Sequence, residues 1–534
     1  MPMLRELRDY SRMAAGIVGM QRAVYPSDAV KFVRDGLDKR EEAFLQTAEK
    51  VIFQNPNHPY LHMFRLAGCE FQDFAGQVRS DGLERTLLRF YEGGIYLTHD
   101  EWKGKTPIVR SGVEIPSRVE DFRNPLTEGW LQNSSSGSTG KPIRSSRSTA
   151  ALIHAAAYHG LRALEFGDPG CVWIDVKGIL PSPSGLNSVL RGRRCGTPID
   201  RWFTAGSAFA DHGHYLLLTR AMVTIGNCFG AGAPYPEYLP YNDFLPVAEY
   251  VARRRAEGRT CVIHGFASPL VRIAAAALEK GLDISHAIFM CGGEALSPAK
   301  RKVFESAGAR AFSSYVISEV GNVGAACSQM AGSCVHLFED AIAAIGIRRP
   351  GVDDDDPEMR SLHFTTLAPY APNVFINVEM DDDGIIGPAP CDCIYARSGF
   401  RRQIDRINSF AKANPQGATF HRNDLVDVIE QILPLRLGGS PGDYQLMECE
   451  AANGQTQVRL LVSPRAGVGD TARVREVFLT VMRPRWNGAV ATREWIFSEG
   501  VEVVIAEPIA TRTGKVHPVR LLSAYSRTEA TNGR

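Results

Sequence analysis

The stretch Thr260–Cys291, TCVIHGFASPLVRIAAAALEKGLDISHAIFMC, places two short apolar runs on either side of a longer helical segment. Thr260–His264 and Ala287–Cys291 have the length and β-branched or aromatic content of strands, and Pro269–Lys280 reads as the helix between them. The same alternation continues outward in both directions. Cys171–Asp175 is another strand-like run, and Pro246–Ala256 and Ser297–Ala307 are further helical stretches. From Trp130 to about Leu367 the pattern predicts a wound α/β sheet. In such sheets ligands sit at the carboxyl ends of strands, so polar or glycine-rich turns after strands are where binding residues belong.

The rest of the 534-residue chain frames this region. Its length suits two to four domains. Residues 1–128 read as mainly helical, including the amphipathic stretch Leu83–Tyr91, and form the first part of a large N-terminal domain over 1–405. A small α+β domain is expected over 406–534. The acidic run Asp353–Asp356 is read as a solvated loop. Apolar residues are 44% and charged residues 22%, as in ordinary globular proteins. A net charge of +1 gives no field suited to nucleic acid or an anionic membrane. The first residues lack a secretion signal, and no stretch reaches 18 uncharged apolar residues. The 11 cysteines are odd in number and scattered, which fits reduced thiols in the cytoplasm.

The densest chemical signal is Ser134–Pro142, SSSGSTGKP, with five hydroxyls and two glycines in nine residues. Glycines let backbone approach phosphate oxygens, hydroxyls and N–H groups donate to them, and the lysine adds a cation. A flexible linker is the bland alternative. The stretch is not a Walker A loop, because Ser135 and Pro142 stand where that motif needs glycine and a hydroxyl residue.

Ser135–Pro142 resembles the phosphate loop of adenylate-forming enzymes, in the form shown by phenylacetate-CoA ligases, and further motifs of that family follow in order over roughly residues 85 to 520. Gly292-Gly293-Glu294 resembles the adenine-side loop. Tyr315-Val316-Ile317-Ser318-Glu319 is similar to the family's Tyr-Gly-x-Ser/Thr-Glu, with Val316 in place of the glycine. Leu362–Leu367 followed by Val374–Asp382 resembles the strand pair ending in Gly-Asp, with Asp381 in place of that glycine. Asp405-Arg406 falls at the family's hinge, and Thr511–Pro518, with Gly514 and Lys515, resembles its Thr-x-x-Gly-Lys turn. His421–Leu425 superficially resembles the ribose motif, but Asp424–Glu430 reads as an amphipathic helix instead.

The resemblance implies a large α/β domain with mixed sheets and a mobile C-terminal domain. It implies that Ser135, Ser136, Gly137, Ser138, Thr139, Gly140 and Lys141 hold the ATP phosphates, and that Gly292, Gly293, Glu294, Tyr315, Ser318, Asp382 and Arg406 belong to the nucleotide site. Glu319 would assist magnesium, and Lys515 would stabilise the transition state of adenylation. The nearest branch is that of phenylacetate-CoA ligases and acyl-protein synthetases, so the expected acid is aromatic or medium apolar and the expected acceptor is coenzyme A. A carrier-protein thiol or an amine is the alternative acceptor, and a non-catalytic nucleotide-binding regulator is the rival from another class. A homodimer is left open. His264, after a strand, is the candidate for the acyl pocket. Cys391-Asp-Cys393 and Cys327 with Cys334-Val-His336 hold the ligand types of a tetrahedral zinc. Some relatives carry a structural metal, but ordinary reduced cysteines are the preferred reading here.

Overall fold

The computed structural model describes the chain except residues 1, 135–143, 169, 207–212, 241–242, 294–295, 297, 331, 349–357, 410–421, 451–455, 483–500, 511–515 and 521–534. Among the described residues the strands, in chain order, begin with two hairpins, β1 (Ile108–Arg110) with β2 (Val113–Ile115) and β3 (Leu131–Ser134) with β4 (Arg144–Arg147). There follow β5 (Val172–Val176), β6 (Ile199–Gly206), β7 (Pro236–Pro240), β8 (Cys261–Phe266), β9 (Ile288–Gly292), β10 (Arg310–Ile317), β11 (Gly321–Ala325), β12 (Val335–Leu337), β13 (Ile342–Ile347), β14 (Arg360–Thr366), β15 (Val378–Pro388) and β16 (Arg402–Ser409). These twelve form one sheet, in the order β13-β14-β15-β16-β12-β11-β10-β9-β8-β5-β6-β7.

The sheet changes character at β10. From β7 to β10 all neighbours are parallel, and from β10 onward all are antiparallel. Parallel strands covered on both faces are mostly apolar, and in β5 and β8 Val, Ile, Cys, Trp and Phe leave Asp175 and His264 as the polar exceptions. One face packs Val172, Ile174, Ile263 and Phe289 against helices Leu245–Ala256 and Ala267–Lys280. The other packs Trp173, Val262, Met290 and Phe312 against helices Thr149–Phe166 and Ser184–Gly192. Ser148 caps the first of these helices, accepting from the Ala151 N–H at 3.3 Å. The antiparallel half buries Ile342, Phe364 and Val378 against Phe44, Phe64, Phe74 and Leu87 of the N-terminal helices.

A second sheet, in the order β19-β18-β17-β20, comprises β17 (Tyr444–Glu450), β18 (Thr456–Val462), β19 (Val501–Ile505) and β20 (Val519–Arg520). It shares a core with the helical segment from Arg422 to Leu437 and with helix Thr471–Met482. The fold is therefore a large α/β unit with a mixed sheet and a small α+β unit, as expected. Helix indeed begins at Arg422 and runs through Asp424–Glu430. The N-terminal part is mainly helical, with its last α-helix ending at Trp102, and the β1/β2 hairpin that follows is the part the sequence did not show. Short strands of three residues leave too little periodicity to be seen in sequence. Asp353–Asp356 lies outside the described residues. No helix among the described residues is long and apolar enough to cross a membrane.

Candidate functional site

Two residues 67 positions apart meet where the sheet changes direction: the Tyr315 hydroxyl donates to Asp382 Oδ2 at 2.5 Å. Tyr315 stands near the end of β10, and Asp382 lies in β15 beside Ser409 of β16. Burial, then the neighbouring carboxylate, holds the Tyr315 phenol far above its usual value, so it remains a donor. Both substitutions of family glycines have a local explanation. Asp381 takes a left-handed conformation (φ 62°) inside an irregularity of the β14–β15 pairing, and aspartate tolerates that region better than most residues. Asp381–Gly384 thus belongs to β15 and is not a hairpin turn. Val316 sits at the β10–β11 irregularity with its side chain exposed, so its Cβ meets open space.

Ser318 and Glu319 occupy the turn between β10 and β11, and Glu319 is buried. Asn373 donates to the Glu319 carbonyl at 2.7 Å, which anchors the turn. Burial lowers the Lys103 ammonium, and Glu319 and Asp381 act against that by favouring its charge. Lys103 therefore belongs to this cluster. It follows helix His99–Trp102, far from every motif, and no pattern in the sequence pointed to it.

Gly292 ends β9, and Gly293 turns out of it with φ 71°, which only glycine adopts at no steric cost. Glu294 lies outside the described residues. So do Ser135, Ser136, Gly137, Ser138, Thr139, Gly140 and Lys141, but Ser134 and Arg144, which bracket them, are a cross-strand pair. Lys515 also lies outside, between Ala510 and Val516, which form an antiparallel bridge. Arg406 lies within β16 with φ 51°, exposed, 3.6 Å from Glu358, and its own N–H is capped by Asp405. A left-handed arginine inside a strand is strained backbone at the position expected for a hinge.

His264, on β8, is buried beside Asp175 of β5, with Nδ1 3.3 Å from Asp175 Oδ1, and its ring lies 5.5 Å from that of Trp173. Burial pushes His264 down to about 4.

The cysteines separate into one cluster and one outlier. Cys327, His336, Cys391 and Cys393 bring their ligand atoms within 4.8 Å of one another. The sulfurs of Cys327 and Cys391 are 3.8 Å apart, those of Cys391 and Cys393 are 3.7 Å apart, and His336 Nε2 lies 3.2 and 3.1 Å from Cys391 and Cys393. Tetrahedral zinc–thiolate bonds of about 2.3 Å set sulfurs about 3.8 Å apart, so three thiols and an imidazole already stand close to that shape. His336 Nδ1 faces the Phe400 carbonyl at 2.8 Å, an arrangement that directs the Nε2 lone pair at the sulfurs. Cys334 is corrected as a ligand: it precedes β12 and its thiol donates to Gln403 Oε1 at 3.2 Å, outside the cluster.

No family model and no curated protein matches the chain. Among solved structures it is similar to an ATP-bound RpMatB-BxBclM chimera, at 12% identity over 72% of this chain and 65% of that one, with a TM-score of 0.39. It is also similar to the anthranilate CoA ligase AuaEII in complex with anthranoyl-AMP, at 10% identity over 86% and 79% of the two chains, TM-score 0.41. A third is an acyl-CoA synthetase of Brucella canis, at 12% identity over 81% and 76%, TM-score 0.34. The chain thus spans just under two thirds of the chimera. Likenesses this low carry neither activity nor substrate over to this protein.

Proposed function

We propose that the protein uses ATP to activate a carboxylic acid as its acyl-adenylate and then transfers the acyl group to a thiol, coenzyme A first among the acceptors. The observation that carries this reading is the Tyr315–Asp382 contact: the residues that the resemblance assigns to adenine and ribose are distant in sequence and touch in the fold.

In the first step a carboxylate oxygen attacks the α-phosphorus and the bond to pyrophosphate breaks. The chain contributes position and charge rather than a nucleophile. Tyr315 offers its ring to adenine and orients Asp382 for the ribose hydroxyls. Ser135–Lys141, on the β3–β4 connection, wrap the outgoing phosphates, and Lys515 balances charge as it builds between carboxylate and phosphate. Glu319 is the hard oxygen donor that fits magnesium, which would neutralise phosphate charge when bound. In the second step the thiol sulfur bonds to the acyl carbon, AMP leaves, and the thiol proton is lost. The small unit would swing between the steps about Arg406, a reading that its left-handed backbone supports.

The Cys327–His336–Cys391–Cys393 cluster is assigned to a structural zinc, which would tie the loop after β11 and strand β12 to the start of helix Ile394–Arg397. Elemental analysis is expected to find one zinc per chain, lost in Cys391→Ser and retained in Cys334→Ser; a metal-free wild-type protein purified without chelator would refute the assignment.

Carboxylate-dependent ATP–pyrophosphate exchange tests the activity. Exchange with one class of acid, abolished in Lys515→Ala while ATP binding persists, is expected, and AMP release only on adding coenzyme A would identify the acceptor. ATP binding without exchange for any acid would favour the non-catalytic rival.

A further inference from the structure

Between the sheet and helices Thr149–Phe166 and Ser184–Gly192 lies a buried polar layer that the motifs above do not use. Asp175 and His264 are directly opposed on β5 and β8 and face these helices. Lys177 Nζ, just past the end of β5, is 3.0 Å from Asp175 Oδ1 and donates to Ser188 Oγ at 2.9 Å. From the helix side, Arg191 Nη2 reaches His159 Nε2 at 2.8 Å and Arg162 Nη2 donates to Ser314 Oγ at 3.0 Å.

The charges here do not balance. Three cations, Lys177, Arg162 and Arg191, share the single carboxylate of Asp175, and no carboxylate among the described residues forms an ion pair with either arginine. Cys195 and Tyr25 beside Arg191 supply no counter-charge, since burial raises both to about 11 and about 12. Nor are the donors used up. Arg191 is only 6% exposed, yet its Nε and Nη1 have no hydrogen-bond partner, and neither do Arg162 Nε and His264 Nε2. Burying guanidinium N–H groups without acceptors is unfavourable, because their hydration is lost and nothing replaces it. A fold keeps such groups when an anion completes them, and guanidinium is the side chain suited to carboxylate and phosphate. The layer adjoins the carboxyl ends of β5 and β8, where a wound sheet takes its ligand.

We infer that this layer is an anion-recognising subsite of the acyl pocket, and that the acid activated carries a second anionic group, as a dicarboxylic acid does, held by Arg191 and Arg162 while its other carboxylate faces ATP. This rests on the adenylation reading and replaces the expected apolar acid, since an apolar tail would leave the same donors bare. Trp173, packed against His264, offers the carbon chain its apolar wall.

Calorimetric titration of the full chain, with and without a non-hydrolysable ATP analogue, tests it with matched pairs: glutarate against butyrate, homophthalate against phenylacetate. At least one dianion is expected to bind about tenfold or more tighter than its monoanionic partner, as loss of one charged hydrogen bond implies. That preference should collapse towards unity in Arg191→Met and persist in part in Arg191→Lys, which keeps the charge. The inference is overturned if every dianion binds no better than its partner, if none binds at all, or if Arg191→Met and Arg162→Met both leave the preference intact. Pyrophosphate exchange run in parallel separates the two readings: a dianion that binds but gives no exchange sinks adenylation alone, and exchange confined to monoanions sinks the subsite alone.

Discussion

The two sheets are joined by a buried ion pair whose removal should loosen the small unit from the large one. Lys300, on helix Pro298–Ser306, lies 2.8 Å from Glu430, in the helical segment before β17, and their side chains are 4% and 3% exposed. At that separation and an effective dielectric of about 20 the attraction is about 6 kcal/mol, most of it offset by the desolvation of both charges. Glu430 Oε2 has no hydrogen-bond partner, so nothing else visible compensates that oxygen. Lys300→Met should therefore cost about 3–5 kcal/mol by leaving the buried Glu430 carboxylate without its cation, and Glu430→Met should also destabilise by removing the pair. The double replacement by methionine should return to within about 1 kcal/mol of the wild type, because both desolvation costs vanish together. A chain of several cores does not unfold in two states, so native-state hydrogen exchange of Val428–Ile432 and Pro298–Ser306 is the suitable assay. The reasoning is refuted if either single variant shifts the opening free energy by less than about 0.5 kcal/mol, or if the double variant costs the sum of the singles.

Other perturbations test the site and its surroundings. Tyr315→Phe keeps the ring and removes the donor to Asp382; the KM for ATP should rise about tenfold with little change for the acid, and an unchanged KM for ATP would show that Tyr315 does not orient Asp382. Asp381→Gly and Asp381→Val both lose the carboxylate, so their difference isolates the left-handed backbone: valine should be less stable by about 1–2 kcal/mol in thermal melts, and equal stability would contradict the assigned conformation. His58 and His264 are held by burial at about 4, below the unfolded value of about 6.5. The folded state thus binds fewer protons than the unfolded state between those values, so their contribution is complete above pH ~6.5 and is lost as pH falls towards ~4, by at most about 1.4 kcal/mol per pH unit for each histidine. His264→Gln should flatten that acid limb of a melting-temperature profile; an identical slope would mean that His264 is not buried neutral.

Part of the candidate site was legible because its pattern is local: Gly292-Gly293 closes a strand that its own apolar residues define. The contiguous runs Ser135–Lys141 and Thr511–Lys515, read as motifs from the sequence, lie outside the described residues. What depends on distant pairing was less so. The three-residue β1 and β2 give no periodicity, and the left-handed place of Asp381 needed the β14–β15 register. Cys334 and His336 look equivalent in sequence, but the fold brings one to Gln403 and the other to the thiols of Cys327, Cys391 and Cys393. Lys103 joins Glu319 only through the fold.

The sequence by itself determined the wound α/β core and the order of the motifs along it, because strand and helix periods and glycine-rich turns are written in neighbouring residues. Only the tertiary structure decided which charges face one another. Arg162, Arg191, Lys177 and Asp175 come from two helices, a strand and the turn after it, and read singly they are ordinary surface types. Their meaning lies in three cations being buried together around one carboxylate, a property of three-dimensional neighbourhood and low dielectric that no one-dimensional pattern encodes.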